Sequence, residues 1–158
     1  MTPSRQVSRC LDDEHRAHLE LLNRVEQALT RSTGADVAAL AASLVHHLEH
    51  DIGRHFEFEE THLFPPMAEA GDGDLAALLT EEHDSIREVV EELTPLARAA
   101  TAGPLDPAGL AGLKRLMLEL VERQVAHIQK ESMALLPLLD DLLDEETDRQ
   151  LAFAYAAD

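Results

Sequence analysis

Histidine and glutamate residues with the spacing of metal ligands occur twice in this chain, once in each half. Each set has one lone histidine followed, on a later segment, by a His-x3-Glu pair; the six residues are His15, His55, Glu59, His83, His127 and Glu131. Equivalent residues are 68 positions apart for the lone histidines and 72 positions apart for both members of the pair. Imidazole and carboxylate groups both bind metals in proteins. Two such sets facing each other predict a dinuclear metal site with four imidazoles and two carboxylates.

Helical geometry explains why the spacing within each pair matters. Residues i and i+4 lie about 40° apart on one face of an α-helix, so a His-x3-Glu pair presents both side chains in one direction. Leucines share that direction, since Leu48 lies about 20° from His55 and Leu120 about 20° from His127 when the segments are helical. The candidate ligands are therefore predicted to point into the apolar core.

Burial of the two glutamates calls for a positively charged partner. An isolated buried carboxylate is costly unless it is paired or metal-bound, and the whole chain has only 13 lysines and arginines. We predict that Glu59 and Glu131 bridge two metal ions, each of which also binds two imidazoles. Imidazole and carboxylate without thiolate favour iron over a structural zinc site, with zinc or manganese as substitutes.

The elements that must position these residues are helices. Strand patterns are almost absent, whereas helical periodicity covers the chain. Helices are predicted from about residue 12 to 31, from 36 to about 64, after a turn at 71–74, after a loop at 101–107, and from 146 to 156, with Asp12 as the cap of the first and Pro137 bending or ending the fourth. Short connections between long helices favour an all-α fold, an up-down-up-down antiparallel four-helix bundle with a short C-terminal helix.

The chain is predicted to form a single domain over residues 1–158, built from two pseudo-repeated helical hairpins at about 11–68 and 74–140. The C-terminal helix is expected to pack on the outside of the bundle through Leu151, Phe153 and Tyr155. Pro95 should kink the third helix, because a proline inside a helix removes one backbone hydrogen bond.

Five further histidines need separate treatment. His46 and His50 fall on the side of the second helix away from His55 and are expected at the surface. His47 is ambiguous from its angle. His18 is expected to flank the site rather than to bind metal, whereas His62 faces inward and stays open as an additional ligand or outer partner.

Asp51 and Arg123 are the other charged pair at repeated positions. They are 72 residues apart, and each precedes the ligand histidine of its helix by four residues. Opposite charges that face a core are expected to pair. We predict an ion pair between them across the bundle, one turn from the metals.

Composition excludes several functional classes. The net charge of −18 argues against nucleic acid or an anionic membrane surface as a partner. No apolar run approaches the roughly 18 residues of a membrane span, and the first residues show no secretory signal. One cysteine, Cys10, allows no internal disulfide. The expected protein is soluble and cytoplasmic.

The combined pattern resembles the hemerythrin-like family, also called the HHE cation-binding domain. The resemblance covers roughly residues 11–139 and rests on Glu14-His15, Glu82-His83 and the two His-x3-Glu pairs, each followed by a proline. It implies a four-helix bundle around a non-heme, oxygen-sensitive di-iron centre. The ligands that the resemblance implies are His15, His55, Glu59, His83, His127 and Glu131.

Two departures from the oxygen-carrying members of that family stand out. Those members place a fifth histidine one turn after the histidine of the third helix, where this chain has Arg87. They also use a His-x4-Asp pair on the last helix, where this chain has His127 and Glu131. The implied site is more symmetrical, which argues against reversible oxygen carriage. Arg87 could contact a bridging glutamate, contact a bound anion or turn to solvent.

A ferritin-like di-iron bundle is the rival fold, and it uses two Glu-x-x-His motifs. Glu59 and His62 match that motif once. The equivalent position in the second half is Ala134, so the second copy is missing. The hemerythrin-like interpretation is therefore preferred.

Three functions are compatible with such a centre. The first is binding or sensing of dioxygen, nitric oxide or peroxide, which would need a protein partner or a homo-oligomer to read the state of the metals. The second is a peroxide-decomposing oxidoreductase. The third is scavenging or storage of iron. Whether the protein is an enzyme stays open at this point.

Overall fold

The computed structural model describes residues 3–31 and 34–157, with backbone alone for residues 34 and 35. Within these residues there are five helices and no β-strand: α1 (Gln6–Arg31), α2 (34–69), α3 (Gly73–Ala102), α4 (107–142) and α5 (Glu145–Ala157). The first four pack as a bundle, and short connections make consecutive helices antiparallel. The predicted all-α bundle is confirmed. None of the described helices is long and apolar enough to cross a bilayer.

Helix α1 begins earlier than the predicted start at Asp12. It starts at Gln6 because the carboxylate of Asp148, on α5, accepts hydrogen bonds from the backbone N–H groups of Gln6 and Val7, both at 2.9 Å. The first turn of a helix lacks internal partners for its N–H groups. Asp148 supplies them from a residue more than 140 positions away in sequence, which a local pattern cannot reveal.

Helices α2 and α4 each contain π-helical turns at which the backbone hydrogen bond spans five residues. In α2 the N–H of Phe64 donates to the carbonyl of Glu59, and in α4 the N–H of Leu136 donates to that of Glu131. A proline, Pro65 or Pro137, follows directly in each case. Proline has no N–H and crowds the carbonyl four residues before it, and a wider turn relieves that crowding.

The prolines therefore do not end these helices. The alternative that α4 ends at Pro137 is wrong, because the helix passes through the π-helical turn Glu131–Leu135 and continues to Leu142. A bend at Pro137 stays a prediction. Helix α2 likewise extends to Glu69. Helix α3 runs through Pro95 to Ala102.

Two apolar clusters fill the bundle above and below one central layer. The first cluster contains Leu22, Val25, Leu44, Leu48, Phe56, Ile86, Leu93, Leu116, Leu120 and Ile128, among others. The second contains Leu11, Phe58, Leu63, Met67, Leu79, Leu135 and Leu139, among others. On each of the four helices, the candidate ligands lie where the residues of one cluster give way to those of the other. The polar layer is therefore closed off by hydrocarbon on both sides.

Helix α5 packs through one face only. Tyr155 is buried edge-on against Phe58, with ring centroids 5.0 Å apart, and Leu151 is partly buried in the same cluster. The expectation for Phe153 is wrong, because its side chain is 78% exposed. Residues 151 and 155 are one helical turn apart and share a face, whereas 153 lies on the opposite face.

Candidate metal centre

The six residues singled out in the sequence meet at the centre of the bundle. Helix α1 contributes one of them, α2 two, α3 one and α4 two. All are between 0% and 3% exposed: His15, His55, Glu59, His83, His127 and Glu131. Four imidazoles and two carboxylates thus lie together in a layer that solvent does not reach.

The carboxylate of Glu131 lies between two pairs of histidines. Its Oε1 is 3.0 Å from Nε2 of His15 and 3.5 Å from Nε2 of His55. Its Oε2 is 3.1 Å from Nε2 of His127 and 3.6 Å from Nε2 of His83. Each oxygen therefore faces its own pair of imidazoles.

Glu59 has the same double role from the opposite side. Its Oε2 is 3.2 Å from Nε2 of His55, and its Oε1 is 3.0 Å from Nε2 of His83. The donors consequently form two groups, each with two imidazoles, and both glutamates belong to both groups. Two carboxylates in this arrangement could each contribute one oxygen to either group.

The separations between donors fit metal coordination. With metal–ligand bonds of about 2.1 Å, two donors on one ion lie about 3.0 Å apart at a right angle and about 3.4 Å apart at the tetrahedral angle. The six nitrogen–oxygen contacts within 4.0 Å run from 3.0 to 3.6 Å, and all donor atoms of a group lie within 4.8 Å of one another. Either group could accept one ion with little rearrangement.

Most of the inward-facing atoms have no hydrogen bond despite these short distances, because their orientation is wrong for one. They are Nε2 of His55, His83 and His127, both oxygens of Glu59, and Oε2 of Glu131. A buried polar atom without a partner costs free energy of the order of 1–3 kcal/mol. Six of them in one layer, all aimed at two points, indicate that the layer is built for cations.

In two of the histidines, the nitrogen that points away from the layer donates a hydrogen bond to a glutamate. Each of these glutamates directly precedes a candidate ligand in the sequence. His55 Nδ1 donates to Glu14 at 3.0 Å, and His127 Nδ1 donates to Glu82 at 2.8 Å. Lys130 also donates to Glu82. Glu14 and Glu82 are equivalent positions in the two halves. These hydrogen bonds fix the imidazoles so that Nε2 faces inward, as is usual for metal-bound histidines.

The other two histidines have unequal outer partners. His83 Nδ1 is 2.6 Å from the carboxylate of Glu60, whereas His15 Nδ1 is 3.2 Å from the hydroxyl of Ser132. Glu60 and Ser132 follow the bridging glutamates and are 72 residues apart, so they too are equivalent. All four outer partners were missed as such by sequence reasoning. Their signal was adjacency, since each is next to a candidate ligand in the chain.

Aromatic rings enclose one side of the centre. The ring of Phe56 stacks on that of His83, with centroids 3.8 Å apart and planes inclined by 7°, and Phe64 lies 5.5 Å away on the same imidazole. This packing restrains the orientation of His83 and keeps water from that half of the layer.

The remaining histidines divide as follows. His46 and His50 are exposed, as predicted. His62 is half-buried, and within the described residues it belongs to neither group of donors. His18 and His47 are buried, and they lie beside the centre rather than in it.

His18 and His47 pack against each other, with ring centroids 4.6 Å apart. Burial, together with the neighbouring imidazoles of His47, His55 and His15, lowers the pKa of His18 to about 2. Burial also lowers the pKa of His47. Both rings are therefore neutral at physiological pH.

The predicted ion pair between Asp51 and Arg123 is wrong. Arg123 instead contacts Glu119 at 2.7 Å and the carbonyl of Ser85 at 2.8 Å. Asp51 lies 3.8 Å from Nδ1 of His47. The prediction assumed a regular α-helix, but residues 47–51 form a π-helical turn that changes the direction of the Asp51 side chain.

A family model, the hemerythrin HHE cation-binding domain, matches residues 7–139 of the chain. The match covers all four bundle helices and every residue of the buried layer. The chain belongs to the hemerythrin HHE family. Among curated proteins, none matches it. This hemerythrin-family domain is accordingly a cation-binding protein, and its two buried His/Glu groups can hold metal.

In this hemerythrin-family domain, the side chain of Arg87 contacts neither Glu59 nor Glu131, and it is only partly exposed to solvent. Its guanidinium lies 2.9 Å from Glu60 and 3.1 Å from Asp84. Burial tends to raise the pKa of Glu60, but Arg87 and His83 outweigh that effect and lower it. Arg87 therefore keeps Glu60 ionised and able to accept the hydrogen bond from His83.

Proposed function

We propose that this domain holds two iron ions, bridged by Glu59 and Glu131, and reacts with dioxygen, nitric oxide or peroxide. The observation that carries the proposal is the pair of buried donor groups that share both carboxylates and leave their inward atoms without hydrogen bonds. Each ion would receive two imidazole nitrogens and one oxygen from each glutamate.

The proposed reactivity requires iron rather than zinc. Four donors complete the tetrahedral coordination that zinc adopts in structural sites, and zinc has no redox chemistry. An ion that takes six ligands keeps two positions free for a reactant. Iron, when bound, supplies the electrons that a small oxidant accepts. Four histidines in the donor set suit iron, whereas magnesium, calcium and manganese prefer sites made of oxygen donors.

The closed surroundings of the layer support a reactant of only a few atoms. The six donor residues are almost fully buried between two apolar clusters. A surface cleft of about 590 Å³ lies nearby and is lined by Glu60 and Arg87, but by none of the six donors. An organic substrate could not touch the donors without opening the bundle, whereas a diatomic molecule or peroxide needs no formed cavity.

Charge supports an anionic or electron-rich ligand. Two divalent ions would bring four positive charges into the layer. The two carboxylates inside the layer balance half of them, and Glu14, Glu60 and Glu82 lie further out, behind the imidazoles. Buried charge without compensation is unfavourable. Binding of an anion, or reduction of a neutral ligand to an anion, would complete the balance.

The test starts with metal content and one matched pair of variants. Protein expressed with ample iron and purified without chelator should contain about two irons per chain by elemental analysis. Glu59→Gln should lose dinuclear loading, because one bridging carboxylate is removed from both ions. Glu57→Gln should keep both irons, since Glu57 is exposed two residues away on the same helix. One zinc or no metal, with iron refused on reconstitution, would contradict the proposal.

Reactivity is then measured on the reduced, iron-loaded protein. Mixing with dioxygen, nitric oxide or peroxide should change the absorption spectrum in stoichiometric amounts, and Glu59→Gln should not respond. Catalytic release of oxygen from peroxide would assign the peroxide-decomposing role instead. Iron that enters and leaves without reacting with any of the three would assign storage or scavenging.

A further inference from the structure

A third group of metal-binding side chains lies outside the dinuclear centre. It consists of His18 from α1 and of His47 and Asp51 from α2, with one donor atom of each residue within 4.8 Å of the others. The two histidines are buried, and Asp51 is at the edge of the surface.

His47 has a free nitrogen lone pair aimed into this group. Its Nε2 lies 3.1 Å from the amide oxygen of Gln124, which can only accept, so Nε2 carries the hydrogen. Nδ1 then has the lone pair. That atom is buried without a hydrogen-bond partner, and it lies 3.8 Å from Oδ2 of Asp51. A nitrogen lone pair and a carboxylate that face each other can be satisfied together by a cation or by a water that donates to both.

The backbone is adapted to this geometry. His47 and Asp51 are the first and last residues of a π-helical turn, in which the N–H of Ile52 donates to the carbonyl of His47. The other two π-helical turns begin at the bridging glutamates, Glu59 and Glu131. Single π-helical turns inside α-helices occur frequently at functional sites. All three such turns among the described residues thus start at a buried side chain that can bind metal.

Packing alone explains the burial of these rings but not the orphaned nitrogen. His18 and His47 contact each other edge to face. Two hydrocarbon rings could make the same contact. His18 Nε2 is 3.7 Å from Glu14, beyond a normal hydrogen-bond distance. Nδ1 of His47 is therefore costly to bury unless it binds something.

We propose that His18, His47 and Asp51 form a third, mononuclear site for a divalent transition-metal ion such as Zn²⁺ or Fe²⁺. Two imidazoles and one carboxylate are the donor set of open mononuclear iron and zinc sites, which leave further positions to water. Bound donors lie about 3 Å apart at bonds of about 2.1 Å. The ion would therefore draw the three groups together, and Asp51, at the surface, is free to move.

This third site lies between solvent and the dinuclear centre. Oδ1 of Asp51 is 3.3 Å from the exposed His46. On the inner side, the ring of His18 is 5.8 Å from that of His55. An ion held there would be adjacent to the donors of the dinuclear centre without sharing any of them.

The experiment is equilibrium dialysis of the metal-free protein against Zn²⁺, with bound zinc counted by elemental analysis. The wild type should bind one ion more than Asp51→Ala and one more than His47→Ala. Asp51→Ala is the decisive variant, because Asp51 is partly exposed and alanine favours the helix, so the fold should be kept. Circular dichroism confirms the fold of each variant.

His50→Ala is the control. His46 and His50 are exposed, one helical turn apart, with rings 4.9 Å from each other, and such a pair can chelate zinc at the surface. The proposed site predicts an unchanged count for His50→Ala. Equal counts for wild type and Asp51→Ala would overturn the proposal. Loss of the extra ion in His50→Ala would overturn it in favour of an adventitious surface chelate.

Discussion

At the scale of single residues, the partners of the outer histidine nitrogens differ in type at one pair of equivalent positions. The carboxylate of Glu60 lies on Nδ1 of His83, whereas the hydroxyl of the equivalent Ser132 lies on Nδ1 of His15. A carboxylate raises the basicity of the imidazole that it holds, and a hydroxyl does so much less. The two proposed metal positions, which have identical donor types, would thereby be electronically unequal.

The first prediction concerns this difference. Glu60→Gln should weaken binding of the ion next to His83 by about 10–100-fold, the usual effect of losing an outer partner of a metal ligand. The ion next to His15 should be retained. Competition with a graded series of chelators would show one ion released early. Asp84→Asn is the control, because Asp84 shares Arg87 with Glu60 but touches no histidine. Equal release of both ions would count against unequal positions.

At the scale of elements, the N-terminus of α1 depends on α5. The buried carboxylate of Asp148 accepts the N–H groups of Gln6 and Val7. Aspartate at a helix N-terminus also interacts favourably with the helix dipole. The short last helix is thus tied to the bundle by polar contacts as well as by Tyr155.

Asp148→Ala should destabilise the protein by about 1–2 kcal/mol, since buried donors lose their acceptor. We expect a lower midpoint of thermal unfolding and an unchanged metal content, because the hydrogen bonds of Asp148 go to the backbone of α1 and not to the six donor residues. Glu146→Ala is the matched control, an acidic residue that is exposed in the same helical turn. A variant as stable as the wild type would show that water replaces the carboxylate at no cost.

The π-helical turns are the other feature of the elements. Pro65 and Pro137 were visible in the sequence, and a break in each helix was a reasonable expectation. The structure accommodates each proline by a wider turn that begins at a bridging glutamate. No proline follows the turn at His47–Asp51, so the local sequence did not predict it.

At the scale of the whole molecule, buried histidines of the metal-free protein lie against carboxylates that favour their protonated form. Burial lowers the pKa of a histidine, but at His83 the carboxylates of Glu131 and Glu59 outweigh burial and raise the pKa to about 9. Burial likewise lowers the pKa of His127, but the carboxylate of Glu131 outweighs burial, and the pKa of His127 is raised. Protons therefore occupy the places that metals take.

The pH dependence of stability follows from these directions. A histidine whose pKa is raised on folding stabilises the fold fully below its unfolded pKa of about 6.5. That contribution is lost as the pH rises through the folded value, about 9 for His83. Thermal unfolding of the metal-free protein should show falling stability between these limits.

Metal-loaded protein is the control for that measurement. Its imidazoles are neutral ligands, so the decline above pH 6.5 should be absent, and metal uptake near pH 7 should release protons. Below about pH 5 protons should displace the metal. A metal-free protein whose stability rises towards pH 9 would contradict the pairing of protonated histidines with Glu59 and Glu131.

The sequence by itself determined the helical class, the family and the meeting of six donors. The reason is physical: a three-residue gap puts histidine and glutamate on one helix face, and the alignment of that face with leucines requires burial. These signals are local, and the duplication of the set made them specific.

Only the tertiary structure decided which side chains contact the outer nitrogens of the histidines and where the side chains of Asp51 and Arg123 point. The hydroxyl of Ser132 on His15, the carboxylate of Asp148 on α1 and the lone pair of His47 all depend on contacts between distant segments. Such contacts are set by how helices pack and by where a π-helical turn rotates a side chain. A sequence pattern that assumes regular helices contains no information on either.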